Sequence, residues 1–311
     1  MKDVIFKGCG TALVTPFAED GNINFEQLRK LIDFQILEGV DSLIICGTTG
    51  ESATMSTEEK KEVIKFAVQI ARKRVPIIAG TGSNNTKASI ELSKYAESVG
   101  ADGLLLVTPY YNKTTQSGLI THFMAIAEST KLPIILYNVP SRTGINIEPQ
   151  TCFELSKIDN IVAIKEASGN ISQVASIAAL CKDNLTIYSG NDDQIIPILS
   201  LGGLGVISVL SNLYPKYVHN MVYDYFSGDI KKATDSQLNA LDLIHSLFFE
   251  VNPIPVKYAM NYVGFSCGKP KLPLVELSDT GKSKLIQSIN NFVYWWLLLF
   301  NTNGSNTIEL D

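Results

Sequence analysis

Eight short apolar runs recur along the chain, at 10–17, 42–48, 76–82, 103–109, 133–139, 161–167, 185–190 and 205–210. Each is bounded by Gly, Pro or Asn, and each is apolar throughout rather than alternating. That is the composition of parallel strands covered on both faces. Between them lie amphipathic stretches of helical period, such as 25–38, 58–73 and 87–99. Asn24-x-x-Gln27 and Ser56-x-x-Glu59 have the spacing of capping boxes and mark helix starts. Eight strand–helix units in about 225 residues match the length of a (β/α)₈ TIM barrel in the α/β class. An open doubly wound sheet is the alternative that alternation alone leaves standing. From residue 226 onward the pattern is helical without strands. The expected organisation is a barrel over 1–225 and a C-terminal helical region over 226–311, with a mobile polar tail after Asn301.

Composition narrows the function. With 45% apolar and 18% charged residues among 311, the chain can build a large core, which excludes global disorder. A net charge of −5 argues against nucleic acid or an anionic membrane surface as partner. The five cysteines (Cys9, Cys46, Cys152, Cys181, Cys267) are scattered and form no CxxC, which fits free thiols in a reducing cytoplasm. Residues 1–7 do not resemble a signal peptide. The most apolar stretch, 292–300, is too short to span a bilayer and reads as a buried terminal helix or a subunit contact.

Lys165 ends the sixth run, Ile161-Val162-Ala163-Ile164-Lys165-Glu166. A lysine there either snorkels to the surface or is held in the interior, where a neutral amine can attack a carbonyl carbon to form a Schiff base. In a barrel the chemistry sits at the C-terminal ends of the strands, so the other strand ends decide between these. The second gives Gly47-Thr48-Thr49-Gly50-Glu51, a turn of hydroxyls and glycine-exposed amides that suits a carboxylate or phosphate, or is simply a capped turn. The fourth and fifth end in Thr108-Pro109-Tyr110-Tyr111 and Tyr137-Asn138-Val139-Pro140. These tyrosines either pack or form a hydroxyl relay. Arg142 is one of only four arginines; Arg29, Arg72 and Arg74 lie on predicted helix faces, whereas Arg142 follows a strand and can grip a carboxylate. The seventh and eighth runs end around Gly190 and Ile207-Ser208, where backbone groups can meet a small ligand. The three histidines lack metal-ligand spacing, and neither a dinucleotide fingerprint nor a G-x-S-x-G elbow is present. A lysine–tyrosine site is the chemistry that remains.

These motifs together resemble the pyruvate-dependent class I aldolase family that includes dihydrodipicolinate synthases and N-acetylneuraminate lyases. The elements are GTTGE at Gly47–Glu51, YNVPSRTG at Tyr137–Gly144, IKEASG at Ile164–Gly169 and NPIPVK at Asn252–Lys257, with likeness from about Gly8 to Leu277. GTTGE, the Arg142 loop and NPIPVK lie nearer the synthase branch than the sugar-acid lyases.

The resemblance implies Schiff-base condensation of pyruvate with L-aspartate 4-semialdehyde in diaminopimelate and lysine biosynthesis, with no metal or organic cofactor. It assigns Lys165 as nucleophile and Tyr137, Thr48 and Tyr111 as a proton relay, Tyr111 crossing from a neighbouring subunit. Thr49 corresponds to the pyruvate-carboxylate ligand, Ile207 to a backbone contact, Arg142 to the semialdehyde-carboxylate residue, and Gly190 to a softer site position. It also implies a homo-oligomer, a tetramer of paired dimers. Lysine-inhibited members hold the inhibitor with His and Glu side chains at a subunit interface. This chain matches there at Ser52, Ala53, Asn84 and Tyr110 but carries Lys60 and Ala88 at the His and Glu positions, so weak or absent lysine inhibition is expected. Lys257 is the competing nucleophile, placed by the pattern on a helix beyond the barrel. A barrel that only senses a small acid would lack one of the reactive Lys, Tyr or Thr residues, and none is lacking.

Overall fold

The computed structural model describes residue 2 and residues 4–301, with side chains as far as Val293. Its centre is a closed barrel of eight parallel strands in sequence order. They are β1 (Gly8–Ala12), β2 (Ser42–Ile45), β3 (Ile77–Gly80), β4 (Gly103–Val107), β5 (Ile134–Asn138), β6 (Ile161–Glu166), β7 (Thr186–Ser189) and β8 (Gly205–Ser208). The ring closes where Gly10 of β1 pairs with Ile207 of β8. Closure removes the doubly wound alternative, because an open sheet has two edges and this one has none.

Each strand is followed by a helix on the outside: Phe25–Leu37, Thr57–Ala71, Thr86–Ser98, Gln116–Ala127, Pro149–Leu155, Ile171–Cys181, Ile195–Ser200 and Pro215–Phe226. The helix starts are locally encoded. Ser56 and Glu59 exchange both hydrogen bonds of a capping box, and Asn24 accepts from the Gln27 N–H. The first strand is shorter than its apolar run. Beyond Ala12 the chain leaves the ladder, since the Thr15 hydroxyl donates to Gly50 O and Phe17 bridges to Ile23 antiparallel. Arg72 and Arg74 depart from their expected helix face. Arg72 caps the helix end with φ +49°, and Arg74 beyond it pairs with Asp33 at 2.6 Å.

Both faces of the strands are buried, as the unbroken apolar runs require. Outward residues such as Ile134, Leu136, Ile161 and Ile164 pack under the helices. Inward residues such as Ile44, Ile78, Leu105, Ile135, Ala163 and Ile207 fill the barrel. Each fully buried Leu or Ile contributes about 1.5–3 kcal/mol. The N-terminal end of the barrel is plugged by Phe6, which stacks on Tyr188 with centroids 4.3 Å apart and planes 6° apart. The Tyr188 hydroxyl donates to Phe6 O at 2.5 Å. Lys2 donates to the carbonyls of Ser156, Ile158 and Ile161 at 2.6, 2.5 and 2.7 Å, tying the chain start to the entry of β6.

Four further helices follow: Ile230–Asn239, Leu241–Leu247, Ile254–Tyr262 and Asp279–Asn301. The last contains the apolar run, and its Leu285, Ile289 and Phe292 are buried, Phe292 against Tyr214 and Tyr217. The side chains of Trp295 and Trp296 and the tail expected to be mobile lie outside the described residues. Among the described residues no helix is long and apolar enough to cross a membrane. All five cysteines are free and buried, and burial pushes the Cys46 and Cys267 thiols up to about 12.

Gly80 is a backbone contact point. A Cβ there would lie 2.2 Å from Cys46 O, the carbonyl that follows β2. Gly80→Ala is expected to destabilise the fold by about 1–3 kcal/mol through forced displacement of backbone, read as a lower midpoint in chemical denaturation.

Candidate active site

The site begins with a register shift. Ile134 pairs with Ile161, but Ile135 pairs with Ala163, so β6 carries one extra residue at its start. From there the ladder runs evenly, and Tyr137 pairs with Lys165. Without the bulge Tyr137 would lie beside Ile164, whose side chain faces the outer helices. The extra residue therefore turns Lys165 into the barrel mouth beside Tyr137.

There Lys165 is 5% exposed, and its ammonium lies 4.3 Å from the Tyr137 ring centroid. A ring face attracts a cation without neutralising it. Among the described residues no carboxylate forms an ion pair with Lys165. Its neighbour Glu166 points to the other side of the strand, where it accepts from Asn138 Nδ2, Gln173 Nε2 and the Ser168 N–H.

The turn after β2 brings its threonines to the same mouth. Thr48 is half-buried and Thr49 is buried. The turn is tight: Glu51 N–H donates to Thr48 O at 3.1 Å, and Cys46 and Glu51 both have φ +58°. Gly190 donates its N–H to Glu166 O at 2.7 Å, and a Cβ on it would stand 2.6 Å from Ala167 Cβ. Ile207 is fully buried on β8. Arg142 lies in the short helix Pro140–Thr143 and donates to Asn252 O at 3.4 Å.

Tyr111 is not gathered with the others. It is 93% exposed with φ +68°, projecting from the chain that carries it. The six residues matched to an inhibitor site do not share one cavity either. Ser52, Lys60 and Ala88 line a cavity of about 500 Å³, whereas Asn84 lines a neighbouring one of about 480 Å³ and donates to Tyr110 O. Ala53 and Tyr110 line neither. Burial pushes the Lys60 ammonium below its ordinary range.

Two side chains emerge to which strand-end reasoning gave no role of their own, Asn252 and Asp192, the latter at the end of the seventh run. Asn252 is 5% exposed, donates from Nδ2 to Thr49 Oγ1 at 3.1 Å and leaves its buried Oδ1 without a partner. It opens the NPIPVK motif, and that was its one visible signal. Asp192, 2% exposed, accepts the Val209 and Leu210 N–H groups on Oδ2, both at 2.9 Å. Burial pushes its carboxyl above the usual carboxylate range, opposed by hydrogen bonds from Ser208 and those two amides and by the Lys165 charge. Lys257 is excluded as a free amine, because its Nζ is 2.6 Å from Glu51 Oε1 and both side chains are 1% exposed.

This geometry is a buried amine, a phenol and a hydroxyl turn at the mouth of a parallel barrel. Residues 5–292 match the model of the dihydrodipicolinate synthetase family. The chain belongs to that family. It is 59% identical over 276 residues to the 4-hydroxy-tetrahydrodipicolinate synthase of Clostridium perfringens (strain SM101 / Type A), covering 89% of this chain and 94% of that one. A solved synthase from Methylacidiphilum fumariolicum SolV superposes with a TM-score of 0.91 at 41% identity, over 93% of this chain and 96% of the other. The chloride-inhibited dihydrodipicolinate synthase from Acinetobacter baumannii complexed with pyruvate is 40% identical, with a TM-score of 0.91, over 93% and 99%.

Proposed function

We propose that Lys165 is the Schiff-base nucleophile of this enzyme. The reaction is the condensation of pyruvate with L-aspartate 4-semialdehyde to give 4-hydroxy-tetrahydrodipicolinate, a step of diaminopimelate and lysine biosynthesis. The observation that carries the assignment is the buried Lys165 side chain over the Tyr137 ring, with no carboxylate paired to it among the described residues. Its neutral amine adds to C2 of pyruvate, and loss of water gives the imine. Removal of a methyl proton gives the enamine, whose carbon attacks the semialdehyde aldehyde. The semialdehyde amine then adds to the imine carbon and displaces Lys165, so the ring closes and the enzyme returns unchanged. Thr49 and the turn amides hold the pyruvate carboxylate, Ile207 and Gly190 offer backbone groups, and Arg142 grips the semialdehyde carboxylate. Tyr137 and Thr48 pass the protons. Pyruvate followed by borohydride should leave a reduced adduct that peptide mass spectrometry maps to Lys165. No adduct, or one on Lys257, overturns the assignment.

The third relay hydroxyl comes from Tyr111 of a second copy of the chain. The exposure and left-handed backbone of Tyr111 support this, since they present its phenol to solvent, where a second copy can receive it. The assembly is a tetramer of paired dimers in the cytoplasm. Tyr111→Phe should lower kcat about 10²-fold or more, the usual weight of a proton-transfer group. Mixed oligomers of Lys165→Ala with Tyr111→Phe should regain activity, because some sites receive both intact groups. Recovery no greater than the sum of the two parents would refute the crossing tyrosine.

Lysine inhibition is weak or absent. Lys60 presents a cation to a cationic effector, and Ala88 supplies no carboxylate. Loss of one charged hydrogen bond costs about 1.5–3 kcal/mol, roughly tenfold or more in affinity. Half-inhibition by sub-millimolar L-lysine in a steady-state assay contradicts this reading, and Lys60→His with Ala88→Glu should strengthen inhibition.

A further inference from the structure

A deeply buried ion pair, Glu51–Lys257, lies outside the reacting groups. Glu51 follows the threonine turn by two residues, and both of its carboxylate oxygens are used. Oε1 takes the Lys257 ammonium at 2.6 Å, and Oε2 takes the Lys271 N–H at 2.9 Å. The Lys257 ammonium also lies 3.8 Å from the Phe17 ring centroid. Glu51 holds φ +58°, a backbone state that a non-glycine residue keeps only where its surroundings dictate it. Two charges at 1% exposure are a poor choice for stability alone, because apolar side chains of similar volume commonly do as well.

What the pair joins suggests another role. On one side lies the turn with Thr49, whose hydroxyl accepts from Asn252 Nδ2. On the other lies the helix Ile254–Tyr262, where the Lys257 N–H donates to Pro253 O at 3.0 Å, directly after Asn252. Asn252 O accepts from Arg142. The groups assigned to the pyruvate carboxylate and the semialdehyde carboxylate therefore meet at Asn252, and Glu51–Lys257 spans the same junction one helical turn away. We propose that the Glu51–Lys257 ion pair is a positioning device that sets Thr49 and Arg142 at a fixed separation, so that both substrates are held in one geometry. This rests on the substrate roles given above for Thr49 and Arg142. Neither Glu51 nor Lys257 touches substrate; both act through the turn and the Asn252 corner.

The test separates positioning from folding. Glu51→Gln keeps the shape and an acceptor but removes the charge. It should raise KM for both pyruvate and the semialdehyde about fivefold or more while changing kcat less, the pattern of lost ground-state binding. The double variant Glu51→Leu with Lys257→Met removes both charges. It should recover denaturation midpoint relative to Glu51→Gln and yet keep the raised KM values. Recovery of KM together with stability, or wild-type KM in either variant, overturns the positioning role. Failure of both variants to fold also overturns it, since the pair would then be an element of folding. Borohydride trapping of native Lys165 is run alongside. If trapping fails there, the fault lies in the reading of the site; if it succeeds while KM stays unmoved, the fault lies in the ion pair.

Discussion

Closure of the strand ring is the constraint on which the rest depends. Eight parallel strands paired without a free edge leave no strand able to slide alone, so each register is set by both neighbours. Because side chains alternate with period two, a slip of one residue in β6 would expel Lys165 among the helices and bring Glu166 inside. That would leave a carboxylate without the Asn138 and Gln173 donors it now has. The single bulge between Ile161 and Ala163 is the one irregularity in the pairing of β5 and β6, and it fixes which phase is adopted. Phe6 and Tyr188 close the opposite end, so the interior is packed below Lys165 and the strand ends open only above it.

Much of this was legible in the sequence because it is local. The eight apolar runs and the Ser56 box depend on residues within one turn or one strand, and the structure keeps them with shifts of a few residues. Alternation of runs and amphipathic stretches fixes the layers but leaves closure open, since an open sheet shows the same pattern. The bulge was invisible: Val162 is as apolar as its neighbours, and nothing in composition marks which of them goes unpaired. Motif position pointed to Lys165 and the threonine turn, and the fold sets both at the mouth of the barrel.

What the sequence concealed was long-range pairing. Glu51 and Lys257 are 206 residues apart, and Thr49 and Asn252 are 203 apart. Each falls within a recognisable motif, but no spacing rule joins one motif to another across the barrel. Lys257 was for the same reason a competing nucleophile on paper. Its partner is a residue of the very turn that receives pyruvate in the proposed site.

The two buried lysines show how one physical cost serves two ends. Removing an ammonium from water is unfavourable wherever it happens. At Lys257 a carboxylate in contact offsets that cost and holds the charge in place, against burial that draws its pKa down. Such an amine is tied up in its ion pair and unavailable for bond formation. At Lys165 the compensation is diffuse: a tyrosine face at 4.3 Å and the field of Asp192, whose Oδ2 is already committed to two backbone amides. Among the described residues no carboxylate is in contact with that nitrogen. Burial alone therefore does not single out a nucleophile: Lys257 is buried against a carboxylate in contact, whereas β6 sets Lys165 beside the phenol of Tyr137, the arrangement on which the proposed role rests.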